Sequence, residues 1–244
     1  PISESSELYP IWAMYKGRMI VWSAIELGLG DLFYFSSAND LLDVAHARFP
    51  DNPILQVYQG NDIPWNIELN HSNKSPQWAN QQRIVLNKLM DIIDFWITER
   101  QAPDGQFGGG WGDDVELWRR WTPILVGFDI DHVNAAMKKL ANGLWKLERM
   151  EDGYTSIESD VEHSAEDSSD TLAMMLLMNQ PGDWSSKVEQ INTLFRNNWS
   201  GMNGEGHRQF KSTYFTANEI SSDEELGFQV NYHFRALQPI LLNW

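Results

Sequence analysis

The chain has 244 residues, of which 42% are hydrophobic, and its formal net charge is −16. This length and apolar content suffice for one substantial core and predict a single domain over residues 1–244. The acidic balance argues against nucleic acid and anionic membranes as partners, because phosphate binding needs clustered lysine and arginine. With no cysteine in the sequence, disulfides, thiol nucleophiles and thiolate metal sites are excluded.

The ends of the chain and its apolar runs bear on localisation. The most apolar stretch, Ile11 to Leu32, is interrupted by Lys16, Arg18 and Glu26, so no membrane span is predicted. The chain begins at Pro1 without an initiator methionine, which favours a removed signal segment or trimming from a longer protein. We therefore expect a secreted or periplasmic protein and expect this chain to be part of a longer polypeptide.

Helical periodicity dominates the sequence. Apolar residues recur every three or four positions in five stretches, as in amphipathic helices. These stretches run from Ile11 to Trp22, from Trp78 to Trp96, from Val115 to Phe128, from Val133 to Leu147, and from Leu172 to Trp199. Pro123 is expected to kink or shorten the third of them. A mainly α-helical fold follows.

The connections between the helical stretches are uneven in length. Gly28 to Phe35 and Pro50 to Lys74 are the longest predicted connections, and Trp65 to His71 is a polar loop that could bind a ligand. Near the end of the chain, residues alternate in strand fashion from Arg208 to Phe215, which predicts a short β-hairpin between helices.

The first of three chemically rich loops, QAPDGQFGGGWGDDVE, runs from Gln101 to Glu116. Its glycine run lets backbone amides approach a ligand closely, and its indole offers a flat apolar face. One of its two adjacent aspartates is expected to cap the following helix. Its candidate substrate-binding residues are Trp111, Asp113, Asp114 and Glu116. A glycine-rich turn with a capped helix and a core tryptophan is the alternative interpretation.

The second rich segment runs from Met150 to Asp170 and is strongly acidic. It holds His163, which follows Glu162 and precedes Glu166 and is therefore expected to have a raised pKa. That suits an acid or a substrate clamp, and a surface or capping histidine is equally compatible with the sequence.

The third rich segment runs from Asn203 to Phe215 and concentrates donors and proton-transfer groups in an otherwise acidic chain. Those groups are His207, Arg208, Lys211 and Tyr214. Two of them have a structural alternative: His207 as a hydrogen-bonding loop histidine, and Tyr214 as a half-buried aromatic residue of a strand. Three rich segments in succession nevertheless suggest one shared active face.

Helix pairs with rich loops gathered at one end describe an incomplete α/α toroid. The segments PDGQFGGGWGDDVE, DVEHSAEDSSD and GHRQFKSTYF resemble the loops of α/α-toroid carbohydrate-active enzymes. Among these they are most similar to uronate-active polysaccharide lyases of the ulvan-lyase-like group. The resemblance covers roughly Gln101 to Phe215 and rests on loop character and order.

A uronate lyase needs a cation to neutralise the substrate carboxylate and a base to remove the neighbouring proton. In the predicted lyase, Arg208 and Lys211 supply the cations, and His207 or Tyr214 is the base. Tyr214 is also the candidate acid for the leaving oxygen, and His163 is a further catalytic candidate. No cofactor is expected.

Three alternatives stay open. A glycoside hydrolase would use two of the available carboxyl groups, which are Asp113, Asp114, Glu116, Glu162, Glu166 and Asp167. A non-catalytic carbohydrate-binding domain would need the indole but not the cluster of cations. Calcium could bind the carboxylates near Asp113 or those near Glu166, since hard oxygen ligands are plentiful there. In each case the partner is a polysaccharide or oligosaccharide.

Overall fold

A computed structural model of the chain describes residues 2–28, 32–61, 74–221 and 230–244. It divides into two compact units, Pro1–His71 and Ser72–Trp244. Within the described ranges the secondary structure comprises eleven α-helices, one π-helix and two small sheets. The predicted mainly helical class is confirmed. The predicted binding loop at Trp65 to His71 lies outside the described residues.

The first unit contains α1 (Tyr9–Glu26), α2 (Leu32–Arg48) and α3 (Pro53–Tyr58). Helices α1 and α2 approach closely at Gly17, where a Cβ would stand only 2.8 Å from Leu42 Cγ. Asn52 caps α3 by accepting from the amides of Ile54 and Leu55. The predicted N-terminal helix is therefore present. Its apolar residues Tyr15, Met19 and Trp22 are nevertheless exposed.

The second unit carries the larger core and the remaining helices. These are α4 (Gln77–Glu99), α5 (Trp111–Arg119), α6 (Thr122–Phe128), α7 (Asp131–Leu144), α8 (Val161–Asp167), α9 (Ser169–Leu177), α10 (Trp184–Leu194), the π-helix (Phe195–Trp199) and α11 (Val230–Leu242). Pro123 is the second residue of α6, where no helical hydrogen bond needs its missing amide. The helical stretch is interrupted just before it, between the end of α5 and the start of α6. The predicted interruption at Pro123 is confirmed.

Two hairpins are inserted between the helices. Strand β1 (Met150–Glu151) pairs with β2 (Tyr154–Thr155) across Asp152 and Gly153, which both have positive φ. An Asp-Gly pair with this backbone is the tight turn that suits the twist of a hairpin. Strand β3 (Ser200–Met202) pairs with β4 (Arg208–Phe210). A short hairpin is therefore present as predicted, but it begins at Ser200 and ends at Phe210 instead of running from Arg208 to Phe215.

Two local predictions are wrong. The acidic segment was expected to be a loop, but its second half forms α8, and α9 begins before its end. The helix starts at Asp160, whose carboxylate accepts from the amide of His163 and so satisfies a free donor of the first turn. Neither Asp113 nor Asp114 caps α5, because the N-cap position is Gly110 and both aspartates lie inside the first turn.

Candidate functional site

A polar cavity of about 230 Å³ lies where the start of α5 meets α8. Most of the residues that line it come from two of the three chemically rich segments, Gln101 to Glu116 and Met150 to Asp170. The lining residues are Gly109, Gly110, Trp111, Gly112, Asp113, Arg149, Glu158, His163, Glu166 and Asp167. The cavity is smaller than the roughly 300–1,000 Å³ of sites for drug-sized ligands, so it suits one ring or one polar group rather than a long chain.

The glycine loop above the cavity is held by Asp114. This buried carboxylate accepts hydrogen bonds from the amides of Phe107, at 2.7 Å, and Gly109, at 3.0 Å, with a longer one from Gly108. The loop also needs glycine at Gly108 and Gly110, whose φ angles of 104° and 95° are strained for any other residue. Asp114 therefore positions the loop, and its oxygens are occupied by amides.

Gly112 brings α5 against two carboxyl groups of α8. A methyl group on Gly112 would lie 3.5 Å from both Asp167 Oδ1 and Glu166 Oε2. Both oxygens therefore border one small space on the cavity wall. Asp113, the next residue along, adds an exposed carboxylate to the same cavity.

His163 stands at the cavity and is oriented by Asp160. Its Nδ1 lies 2.8 Å from both carboxylate oxygens of Asp160, the residue that also caps α8. The hydrogen bond to Asp160 raises the pKa of His163, while burial opposes the shift, and the ring remains largely exposed. The carboxylate holds the imidazole with Nε2 free of this contact, as a proton donor requires.

Two arginines pair with the buried carboxyl groups of α8 and α9. Arg235 of α11 donates from Nη1 to Glu166 Oε1 at 3.1 Å and from Nε to Asp170 Oδ2 at 2.9 Å. Arg149 contacts Asp167 at 2.8 Å. The side chain of Arg235 is 7% exposed, so its ion pairs are well shielded from water, whereas the side chain of Arg149 is half-buried. Removing one member would strand a buried charge.

Burial shifts the titration of the two buried carboxyls that line the cavity, Glu166 and Asp167. It raises the pKa of Glu166, because the charge of Arg235 offsets only part of the desolvation and Glu116 adds repulsion. It also raises the pKa of Asp167 despite the guanidinium of Arg149. A raised pKa lets a carboxyl group keep its proton to a higher pH, which favours donation of that proton to a leaving oxygen.

Tyr214 lies beside Asp160, the carboxylate that orients His163. Its backbone pairs with Asp160 in an antiparallel bridge, supported by hydrogen bonds from Val161 to Thr213 and from Phe215 to Ser159. Side chains directly opposite in this type of pair share one face, with Cβ atoms about 4.5–5.5 Å apart. Tyr214 is 37% exposed. The structure therefore places the backbone of Tyr214 beside that of Asp160, the partner of His163, but Tyr214 is not among the described residues that line the cavity.

The other cationic candidates lie elsewhere and have structural partners. Arg208 donates from Nη1 to the carbonyl of Arg196 and to Ser200 Oγ, each at 2.9 Å, and Lys211 donates to the carbonyl of Asn198 at 2.8 Å. These carbonyls end the π-helix, where backbone acceptors lack helical partners. His207 is exposed beside Glu205. None of Arg208, Lys211 and His207 is among the described residues that line the cavity.

Glu116 also lies outside the lining of the cavity. It pairs with Arg119 at 3.4 Å and with Arg120 at 3.2 Å along α5. Burial acts to raise its pKa, but Arg120 and the neighbouring arginines outweigh it, so the pKa of Glu116 is lowered. This carboxylate is a structural member of the helix surface in the described arrangement.

Three residues of the site were missed by the sequence interpretation. Asp160 could have been found, since an N-capping aspartate three residues before His163 is a recognisable pattern. Arg149 lacked a signal of its own within a charged turn. Arg235 could not have been found, because it follows Asp170 by 65 residues and only the packing of α11 on α9 brings them together.

In the described parts of the chain, no group of three or more His, Asp and Glu side chains is arranged to hold a metal ion, and no helix is long and apolar enough to cross a membrane. Comparison with known proteins gives no match: no family model, no curated protein and no solved structure is significantly similar to this chain.

Proposed function

We propose that this protein is a carbohydrate-active enzyme that cleaves a polysaccharide at the cavity between α5 and α8. The observation that carries the proposal is the meeting of Trp111, two buried carboxyls and an aspartate-held histidine around one small space. An indole offers a face for the apolar side of a sugar ring, and glycine amides beside it allow close approach of the ring. The helix pairs would then form part of an α/α toroid, as the resemblance of the loops implies.

Hydrolysis is the chemistry that the arrangement of charges favours. Glu166 is the proposed general acid, since burial raises its pKa and Oε2 borders the space at Gly112. Asp113, contributed by α5, is the proposed second carboxylate, which activates water or attacks the sugar. Asp167 and Arg149 form an ion pair that holds this wall of the cavity.

Elimination is the second candidate, and the pairing of Tyr214 with Asp160, the partner of His163, favours it. In that reaction one of these groups removes the proton beside the uronate carboxylate and the other protonates the leaving oxygen. The neutralising cation would be Arg149, because Arg208 and Lys211 already donate to backbone carbonyls. Arg149 is shared with Asp167, so its charge is only partly available, and hydrolysis therefore ranks first.

The chemistry of the products distinguishes the two reactions. The protein is incubated with a panel of neutral and uronate-containing oligosaccharides, and both reducing ends and ultraviolet absorbance are followed. Elimination creates a conjugated double bond that absorbs, whereas hydrolysis creates reducing ends alone. We expect reducing ends without new absorbance. Absorbance that rises in proportion to reducing ends would select elimination, and the absence of any cleavage across the panel would contradict the proposal.

A further inference from the structure

A second, larger cavity of about 600 Å³ adjoins Trp111 on the side of α7. Three lysines line it, Lys138, Lys139 and Lys146, and Asn142 lies between them along the chain. Lys138, Asn142 and Lys146 follow at every fourth position, which brings them to one side of α7 and its extension. A cluster of three lysines is unusual in a chain with 34 acidic and 18 basic residues.

The ammonium groups of this groove are free to bind a ligand. Lys139 and Lys146 are exposed, and within the described ranges none of the three lysines forms a salt bridge. One carboxylate, Asp104, also lines the groove, and its hydrogen bonds with Gln106 act first to lower its pKa, with a smaller effect from Lys139. Three cations thus face a single anion, so the groove is locally positive.

Trp111 joins the groove to the candidate site, because its side chain belongs to the lining of both cavities. Gly143 makes this possible. A Cβ at Gly143 would lie 2.7 Å from Trp111 Cη2, so only glycine lets the indole rest this close to α7. A ligand that occupies both cavities therefore runs past one indole, from the carboxyl groups on one side to the lysines on the other.

We infer that the lysine groove is a subsite for an anionic sugar, one that bears a carboxylate or a sulfate, next to the bond that is cleaved. The inference rests on the proposed function, whose substrate it restricts to an acidic polysaccharide. It resolves the mismatch between an acidic chain and an acidic substrate, because charge within about 10 Å decides binding at moderate salt. The groove supplies cations where the sugar carries its charge, and the acidic cavity holds the scissile bond.

Titration calorimetry in a Glu166→Gln background tests the inference, since that variant should bind oligosaccharides without cleaving them. Three hexasaccharides are compared: a galacturonate, a sulfated galactan and a neutral glucan. The double variant Lys138→Gln, Lys146→Gln should lose about tenfold in affinity for the acidic hexasaccharide that binds, and this loss should shrink as salt is added. Lys88→Gln, an exposed lysine of α4 outside the groove, is the control of equal chemistry.

The outcomes separate the inference from the function on which it rests. Preference for the galacturonate assigns the charge to a carboxylate, and preference for the sulfated galactan assigns it to a sulfate. Equal affinity for neutral and acidic hexasaccharides, unchanged in the double variant, overturns the inference but leaves the proposed function standing. Equal binding of polyglutamate would also overturn it, by making the groove a general anion surface. If no hexasaccharide binds to any variant, the proposed function fails as well.

Discussion

Replacing Gly112 with alanine should lower the activity of the protein while its stability is kept or increased. Gly112 is the second residue of α5 and has no positive φ, so alanine fits the backbone. The added methyl group would lie 3.5 Å from Asp167 Oδ1 and Glu166 Oε2, an ordinary van der Waals distance. Nothing has to move. The methyl group would nevertheless occupy the space in which a substrate atom meets both carboxyls.

The two magnitudes follow from these contacts. Alanine in place of a helical glycine should raise the free energy of unfolding by about 0.5 kcal/mol near a helix end. The lost hydrogen bond to a carboxyl group is worth about 1.5–3 kcal/mol, which corresponds to a decrease in kcat/KM of roughly tenfold to a hundredfold. Activity should therefore fall while stability is kept or increased.

Urea unfolding and turnover of the oligosaccharide identified by product analysis measure both quantities. Gly127→Ala is the matched control, because Gly127 is an exposed glycine of α6 with no atom within 4 Å of a new Cβ. It should change stability by a similar amount and leave kcat/KM unaltered. Full activity of Gly112→Ala would show that the space at the two carboxyls is not used by substrate, and the assignment of Glu166 as the acid would then be untenable.

Three further substitutions test the structure around the site. Asp114→Asn should destabilise the protein by about 2 kcal/mol, because an asparagine side chain has one acceptor oxygen and cannot accept from the amides of both Phe107 and Gly109. The same substitution at its exposed neighbour, Asp113→Asn, should not destabilise the protein. Comparable urea midpoints for the two variants would argue against a role of Asp114 in holding the glycine loop. Arg235→Leu removes the guanidinium that pairs with Glu166 and Asp170 and leaves Asp170 with Arg119 alone. It should cost about 3–5 kcal/mol, against less than about 1 kcal/mol for the exposed Arg120→Leu, as thermal unfolding will show. The folded-state pKa of His163 is raised above 6.5, so its stabilising contribution is complete below that pH and is lost as pH rises through the folded value. The stability gap between wild type and His163→Gln, measured from pH 5 to 9, should therefore close at high pH, and a gap that widens with pH would contradict the pairing with Asp160.

Much of the helical fold could be predicted because local periodicity determines it. The stripe that ends at Trp96 became α4. The next stripe is divided into α5 and α6 just before Pro123, because a proline is tolerated in the first turn of a helix but not in its interior. The start of α8 was less visible, because its acidic residues resemble a solvated loop unless Asp160 is read as a cap. Whether an apolar helix face is covered depends on contacts distant in sequence, and the exposed indole of Trp22 illustrates this.

The candidate site was only partly predictable for the same reason. The glycine loop and His163 were identified from composition, and the structure brings both to one cavity. Arg208 and Lys211, by contrast, have the residue types that a lyase site needs, but both donate hydrogen bonds to backbone carbonyls at the end of the π-helix. Every residue has a backbone carbonyl, so the sequence does not indicate which carbonyl a cationic side chain will reach. The functional use of a cation therefore depends on which helix end it reaches, and only the fold decides that.

Cleavage of a sugar by Glu166 in the cavity beside Trp111 can be checked by comparing the turnover of Glu166→Gln with that of Tyr214→Phe. Glutamine keeps an oxygen for Arg235 but cannot donate the proton, so kcat should fall by about two to four orders of magnitude while oligosaccharide binding and the melting temperature are retained. Tyr214→Phe should stay close to the wild-type rate. The reverse result, an active Glu166→Gln beside an inactive Tyr214→Phe, would contradict hydrolysis and select elimination.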